Sequence, residues 1–236
     1  MGLMVFDCEI KKGVPRKRTE PVPGVEYCAG WEDFSGMGIA CICALEMAEA
    51  RRPRVFCEDN FREFQALVDR SCRVVGFNNL HFDNRLCAAH GIDVPFDKSY
   101  DLQQVIWLAA GLEGNYRDEA HSDFSLEKLC MANFGRGKSG DSALVPQLWQ
   151  GGRHGLVIDH CLQDVLLTAD LLDQIVQCGW VRDPRDLSKI IEIKPAIMAL
   201  YWNRAPRRMD SSVRERFFIN RELQGVSTDG KKGGRD

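Results

Sequence analysis

Asp7-Cys8-Glu9 sets two carboxylates two positions apart at the end of an apolar run, Leu3 to Phe6. Such a run reads as a buried strand. Alternate strand residues share a face, so Asp7 and Glu9 point one way and Cys8 the other. Two acids held that close repel each other unless something neutralises them, and oxygen-rich sites suit Mg²⁺ or Mn²⁺. A second candidate is Asn79-Leu80-His81-Phe82-Asp83. There the short strand Arg73 to Gly76 delivers the chain to a polar turn, and Asp83 starts a helix with Phe82, Leu86 and Cys87 on its apolar side. Alone, Asp83 reads as a helix N-cap. The third is His160-Cys161-Leu162-Gln163-Asp164. His160 and Asp164 are four apart on a helix, so both project from one face. Alone, they read as an exposed surface pair.

Together and in this order, the three elements resemble the DEDD exonuclease superfamily. Its motifs are an Asp-x-Glu strand, an Asn-x-x-Phe-Asp segment and a Tyr-or-His helix ending in Asp. Tyr100-Asp101 and Phe124-Ser125 also fall where that family places a strand-to-helix junction and a helix start. The resemblance spans about residues 3 to 176 and is closest to proofreading domains of DNA polymerase I type and ribonuclease-D-like enzymes. It implies an α/β, ribonuclease-H-like fold with a mixed sheet, antiparallel first strands and flanking helices. It also implies metal-dependent 3′–5′ exonuclease chemistry with two Mg²⁺ (or Mn²⁺) ions, held by Asp7, Glu9, Asp83 and Asp164. Nucleoside 5′-monophosphates would be released from single-stranded DNA or RNA 3′ ends, DNA being favoured by the likeness to proofreading domains. The alternatives are an RNA-trimming enzyme of the same fold and a non-catalytic module that binds nucleic acid or a partner.

The sequence departs from the family at the residue that activates water. The family has Tyr four positions, or His five positions, before the last Asp. This chain has His160 at minus four and Asp159 at minus five. An imidazole suits a general base better than a phenol does, so His160 is the candidate, with His154 as a competitor. Candidate substrate-binding residues are Asn79, Phe82, Lys11 and Lys12. Asn79 could equally fix its own turn, and Phe82 could be core. Lys11, Lys12, Arg16, Lys17 and Arg18 form either a solvated loop or a phosphate-tracking segment leaving the strand of Asp7 and Glu9. Asp101 reads as a helix cap. Lys138, in Gly135-Arg136-Gly137-Lys138-Ser139-Gly140, looks superficially like part of a phosphate loop but lacks the GxxxxGK spacing after a strand.

The elements that must position these groups can be read in outline. Met37 to Leu45 and Pro53 to Cys57 are expected strands that form an antiparallel meander with the first. Asp59 is expected to cap a helix carrying Phe61, Phe64, Leu67 and Val68. Further helices are expected at Phe82 to His90, from Asp101 to Ala110, from Ser125 to Gly135, and from His154 to Val176. The expected organisation is an exonuclease domain over 1–186, a helical extension over 187–219 containing Ile190, Ile191 and Ile193, and a polar tail over 220–236. The extension carries a basic cluster of Arg204, Arg207, Arg208, Arg214 and Arg216.

The 236 residues, 44% hydrophobic and 28% charged, suit one α/β domain with a full core. No run approaches the about 20 apolar residues of a membrane helix, and no signal-peptide core opens the chain. A net charge of −3 argues against coating nucleic acid by bulk electrostatics, but not against holding one strand end in a groove. The 10 cysteines contain no CxxC pair and most sit within apolar runs, so they read as reduced core residues in a cytoplasmic protein. The chain is expected either to stand alone or to serve a polymerase or helicase partner.

Overall fold

Because Leu3 to Phe6 are all apolar, the first strand can be covered on both faces, and it becomes the centre of the sheet. The computed structural model describes residues 2–16, 20–47, 51–114, 119–138 and 140–193. In chain order the elements are β1 (Leu3–Ile10), α1 (Phe34–Met37), β2 (Ile39–Glu46), β3 (Arg52–Phe56), α2 (Phe61–Arg70) and β4 (Arg73–Gly76). They continue with α3 (Asp83–Ala89), β5 (Ser99–Asp101), α4 (Leu102–Ala109), α5 (Glu119–Ser122) and α6 (Leu126–Phe134). The last are α7 (Val145–Gln150), α8 (His154–Cys178), β6 (Trp180–Arg182) and β7 (Ile190–Glu192).

The main sheet has the order β3-β2-β1-β4-β5. β2 runs antiparallel to both β1 and β3, while β4 runs parallel to β1 and β5. This is a mixed α/β architecture with antiparallel first strands and flanking helices, compatible with a ribonuclease-H-like fold. Alternation along β1 divides the core in two. Leu3 and Val5 pack on the side of α4, α6 and α8, whereas Met4, Phe6 and Cys8 pack with Phe64, Leu67 and Val68 of α2 and Leu86 and Cys87 of α3.

Two of the helix signals hold in detail. Asp101 caps α4 by accepting from the N–H groups of Gln103 and Gln104. Ser125 caps α6, and Gly135 ends it in the left-handed region at φ 66°. The cap of α2 is misplaced by one residue in the sequence reading. Asn60, not Asp59, holds the cap position, and its Oδ1 accepts from Cys57 N–H at 2.6 Å instead of capping the helix. Met37 ends α1 and does not open a strand, since Gly38 at φ 65° turns the chain into β2.

The helical reading of the segment after residue 187 fails where it can be seen. Ile190–Glu192 is a strand paired antiparallel with Trp180–Arg182. β-Branched isoleucines over so short a run suit a strand better than a helix. Residues 194–219 of that extension, its arginine cluster, the 220–236 tail, Lys17 and Arg18 lie outside the described residues. All ten cysteines are free, and eight are buried. No helix among the described residues is long and apolar enough to cross a membrane.

Candidate metal centre

The candidate site lies where β4 leaves β1. The two strands pair only from Leu3–Arg73 to Val5–Val75, so past Val5 that edge of β1 has no strand beside it. Its backbone still needs partners. The chain leaving β4 turns at Asn78, the one non-glycine residue with positive φ (69°) among the described residues, and comes back so that Asp83 opens α3. Asp83 Oδ1 then accepts from the backbone N–H of Cys8 at 2.9 Å, filling the open edge between Asp7 and Glu9.

Asp101 builds that return from below. Its Oδ1 accepts from Asn78 N–H at 3.0 Å and its Oδ2 from Leu80 N–H at 3.1 Å, in addition to capping α4. Asn79 is wholly buried, and its Nδ2 donates to Asn84 Oδ1 at 3.2 Å. A Cβ on Gly76 would lie 2.5 Å from Asn79 Cβ, so glycine is required for this close approach. Asn79 therefore fixes the turn beneath the site. Phe82 is half-buried, with ring contacts to Phe34 and Trp31.

On the other face of β1, α8 brings its buried side towards Asp7 and Glu9. His160 and Asp164 are 6% and 4% exposed, so they are not the solvated pair that their spacing alone allows. Ligand atoms of Glu9, His160 and Asp164 all lie within 4.8 Å of one another. His160 Nε2 is 3.7 Å from Glu9 Oε1 and 3.1 Å from Ser142 Oγ. The thiol of Cys161 approaches the Asp7 carbonyl at 3.4 Å and its Oδ2 at 3.6 Å. His154 is elsewhere: it opens α8, is exposed, and stacks on Trp149 with ring centroids 4.0 Å apart. Lys11 and Lys12 leave β1 as surface ion pairs with Glu58 (2.7 Å) and Glu26 (2.9 Å).

The electrostatics are those of crowded carboxylates. Burial pushes the Asp7 carboxyl well above the usual range, and Asp83, Asp164 and Glu9 push it further. Glu9 rises for the same reasons, burial first and then Asp164. Asp83 is pushed up to about 7 by burial, with the Cys8 N–H working against the rise. One residue relieves this crowding. Lys138 bonds directly to Asp164 Oδ2 from the loop after α6. Burial works against its charge, yet Asp164, Asp7 and Glu9 together hold the ammonium above its ordinary range. The spacing around Lys138 does not suggest this role, since it lacks the pattern of a phosphate loop. The usable signal was a single lysine in a glycine-punctuated loop just before the helix of His160 and Asp164.

The donor set fits a hard divalent cation. Asp164 Oδ1 is buried and has no hydrogen-bond partner among the described residues, an acceptor left over for a ligand. Four carboxylates and an imidazole offer oxygen and nitrogen, and the position Lys138 already fills demands positive charge.

No protein-family model matches the chain, and no curated protein matches it at a significant level. Among solved structures it is similar to a family B DNA polymerase from the hyperthermophilic archaeon Pyrobaculum calidifontis, at 14% identity and a TM-score of 0.43. The match covers 74% of this chain and 24% of the polymerase, so the chain spans about a quarter of that protein's length. A likeness of that size assigns neither family nor activity, and the reading of the site rests on its own geometry and motifs.

Proposed function

We propose that this protein is a metal-dependent 3′–5′ exonuclease acting on single-stranded nucleic acid, DNA preferred, and releasing nucleoside 5′-monophosphates. The observation that carries this reading is the convergence of Asp7, Glu9, Asp83 and Asp164, from three separate stretches of chain, with His160 one helical turn from Asp164. The order and content of the three motifs support the 3′–5′ polarity.

Asp7, Glu9 and Asp164 would hold one cation, and Asp7 with Asp83 a second. Bound there, the cations supply activation of water and stabilisation of the leaving 3′ oxygen. His160 would take the proton of the attacking water once the Ser142 hydroxyl, which lies 3.1 Å from its Nε2, gives way to that water. Asp83 holds β1 and α3 in register through Cys8 N–H, so the carboxylates of both elements face one volume.

The test is digestion of 5′-labelled single-stranded DNA and RNA with Mg²⁺, with Mn²⁺ and with EDTA. A ladder shortening from the 3′ end, lost in EDTA, is expected, with DNA cut faster than RNA. Faster cutting of RNA would transfer the activity to RNA trimming. Intact substrate across metals and pH, from folded protein that still binds the strand, would leave a binding module in place of an enzyme.

A further inference from the structure

Trp31 is 60% exposed, an unusual placement for the largest apolar side chain. It is not loosely held. Asp33, two residues on, accepts from Ala29 N–H at 2.8 Å and Gly36 N–H at 2.9 Å, and its own N–H donates to Gly30 O at 3.1 Å. The turn carrying the indole is thus tied on both sides. The indole meets Phe82 edge-on, with centroids 6.4 Å apart and planes at 67°. Phe82 in turn meets Phe34 at 5.9 Å.

Two features give this aromatic strip a direction and a preferred ligand. Phe82 immediately precedes Asp83 in the chain, so the strip adjoins, through the backbone, the residue that opens α3 beside the candidate metal centre. Cations also border it. Arg85 lies over the Phe34 ring at 4.4 Å and pairs with Glu32 at 2.5 Å, and Lys12 is close enough to Asp33 to lower that carboxyl, after the two backbone hydrogen bonds it accepts. Both cations are about half exposed, and each is paired with a carboxylate at the surface. Such pairs contribute little, so a phosphate can replace the carboxylate. Exposed aromatic faces interleaved with cations are what a single strand uses, its bases stacking and its phosphates pairing. A pre-ordered indole loses little entropy on binding.

We propose that Trp31 is a base-stacking subsite for the single strand, a few nucleotides upstream of the scissile end, with Arg85 and Lys12 contacting the adjoining phosphates. This rests on the nuclease reading of the site.

The test measures binding of an oligothymidylate of about 10 nucleotides by anisotropy in EDTA, so that no cutting intervenes. Trp31→Ala is expected to weaken binding by about 5- to 150-fold, and Trp31→Phe to recover most of it. An oligonucleotide with one abasic position at the stacked site should bind wild type more weakly and Trp31→Ala no more weakly than the intact strand. Equal melting temperatures for the variants confirm that the fold is intact. If wild type digests single strands while Trp31→Ala binds them as tightly as wild type, the subsite is wrong and the nuclease reading stands. If abasic and Trp31→Ala losses simply add, Trp31 stacks on no base. If folded wild type neither binds nor digests single strands, both readings fall together.

Discussion

Raising the pH in the absence of divalent cations should destabilise this protein, and Mg²⁺ should reverse the loss. Asp83 has a usual value of 3.8, pushed up to about 7 in the folded chain by burial. A group whose folded value is raised contributes stability that is complete below its unfolded value and lost as pH climbs through the folded one. The loss from Asp83 therefore falls between about pH 4 and 7, and burial raises Asp7 and Glu9 so that they add to it in the same direction. At about 1.4 kcal/mol per pH unit, Asp83 alone contributes on the order of 4 kcal/mol. For a chain of this size that is roughly 8–16 °C in melting temperature. Cations favour the ionised carboxylates, and at about 100 times its dissociation constant Mg²⁺ returns about 2.7 kcal/mol. Thermal melts across pH, in EDTA and in Mg²⁺, should give a falling curve and a flatter one that diverge as pH rises. Asp83→Asn keeps an acceptor for Cys8 N–H without the charge, so it should flatten the EDTA curve and shrink the Mg²⁺ response. A level EDTA profile, or an Asp83→Asn slope like that of wild type, would refute the reasoning.

Other substitutions separate the roles of the site. Lys138→Met strips the ammonium from Asp164, so urea unfolding in EDTA should show a loss of about 3–5 kcal/mol that narrows in Mg²⁺. The same variant should bind Mn²⁺ more tightly by calorimetry, because no internal cation competes; weaker binding would mean that Lys138 supports the metal. Asp7→Asn and Asp164→Asn should each cut single-strand digestion at least about 10³-fold while strand binding by anisotropy persists. His160→Gln should lower kcat by about 10²–10⁴ with little change in KM, and an unchanged kcat would move the base to another residue.

What could be read in advance follows from how local each signal is. The buried run of β1, the caps at Asp101 and Ser125 and the stop at Gly135 depend on neighbours within a few residues, and all were legible. The β6–β7 hairpin was not, because three apolar residues in a short segment carry no period that separates strand from helix. Asn79 shows a subtler limit. Its place in the motif was readable, but complete burial beneath the turn depends on Gly76 and Asn84 meeting it in space.

Lys138 shows the deepest limit and explains the most. Nothing within a few residues of it says that its ammonium will reach a helix that begins beyond α7. Yet Asp7, Glu9, Asp83 and Asp164 have to fold together, and burial works against the charge of Asp7, Glu9 and Asp83, with repulsion between neighbouring carboxylates adding to it. The fold meets that difficulty in two local ways: the Cys8 N–H supports Asp83, and Lys138 supports Asp164. Neither reaches Asp164 Oδ1, which has no partner among the described residues, nor removes the burial and repulsion that push the Asp7 and Glu9 carboxyls up. The chain thus stabilises its carboxylates enough to fold and leaves an acceptor and a charge deficit at one point, where a divalent cation would complete the structure.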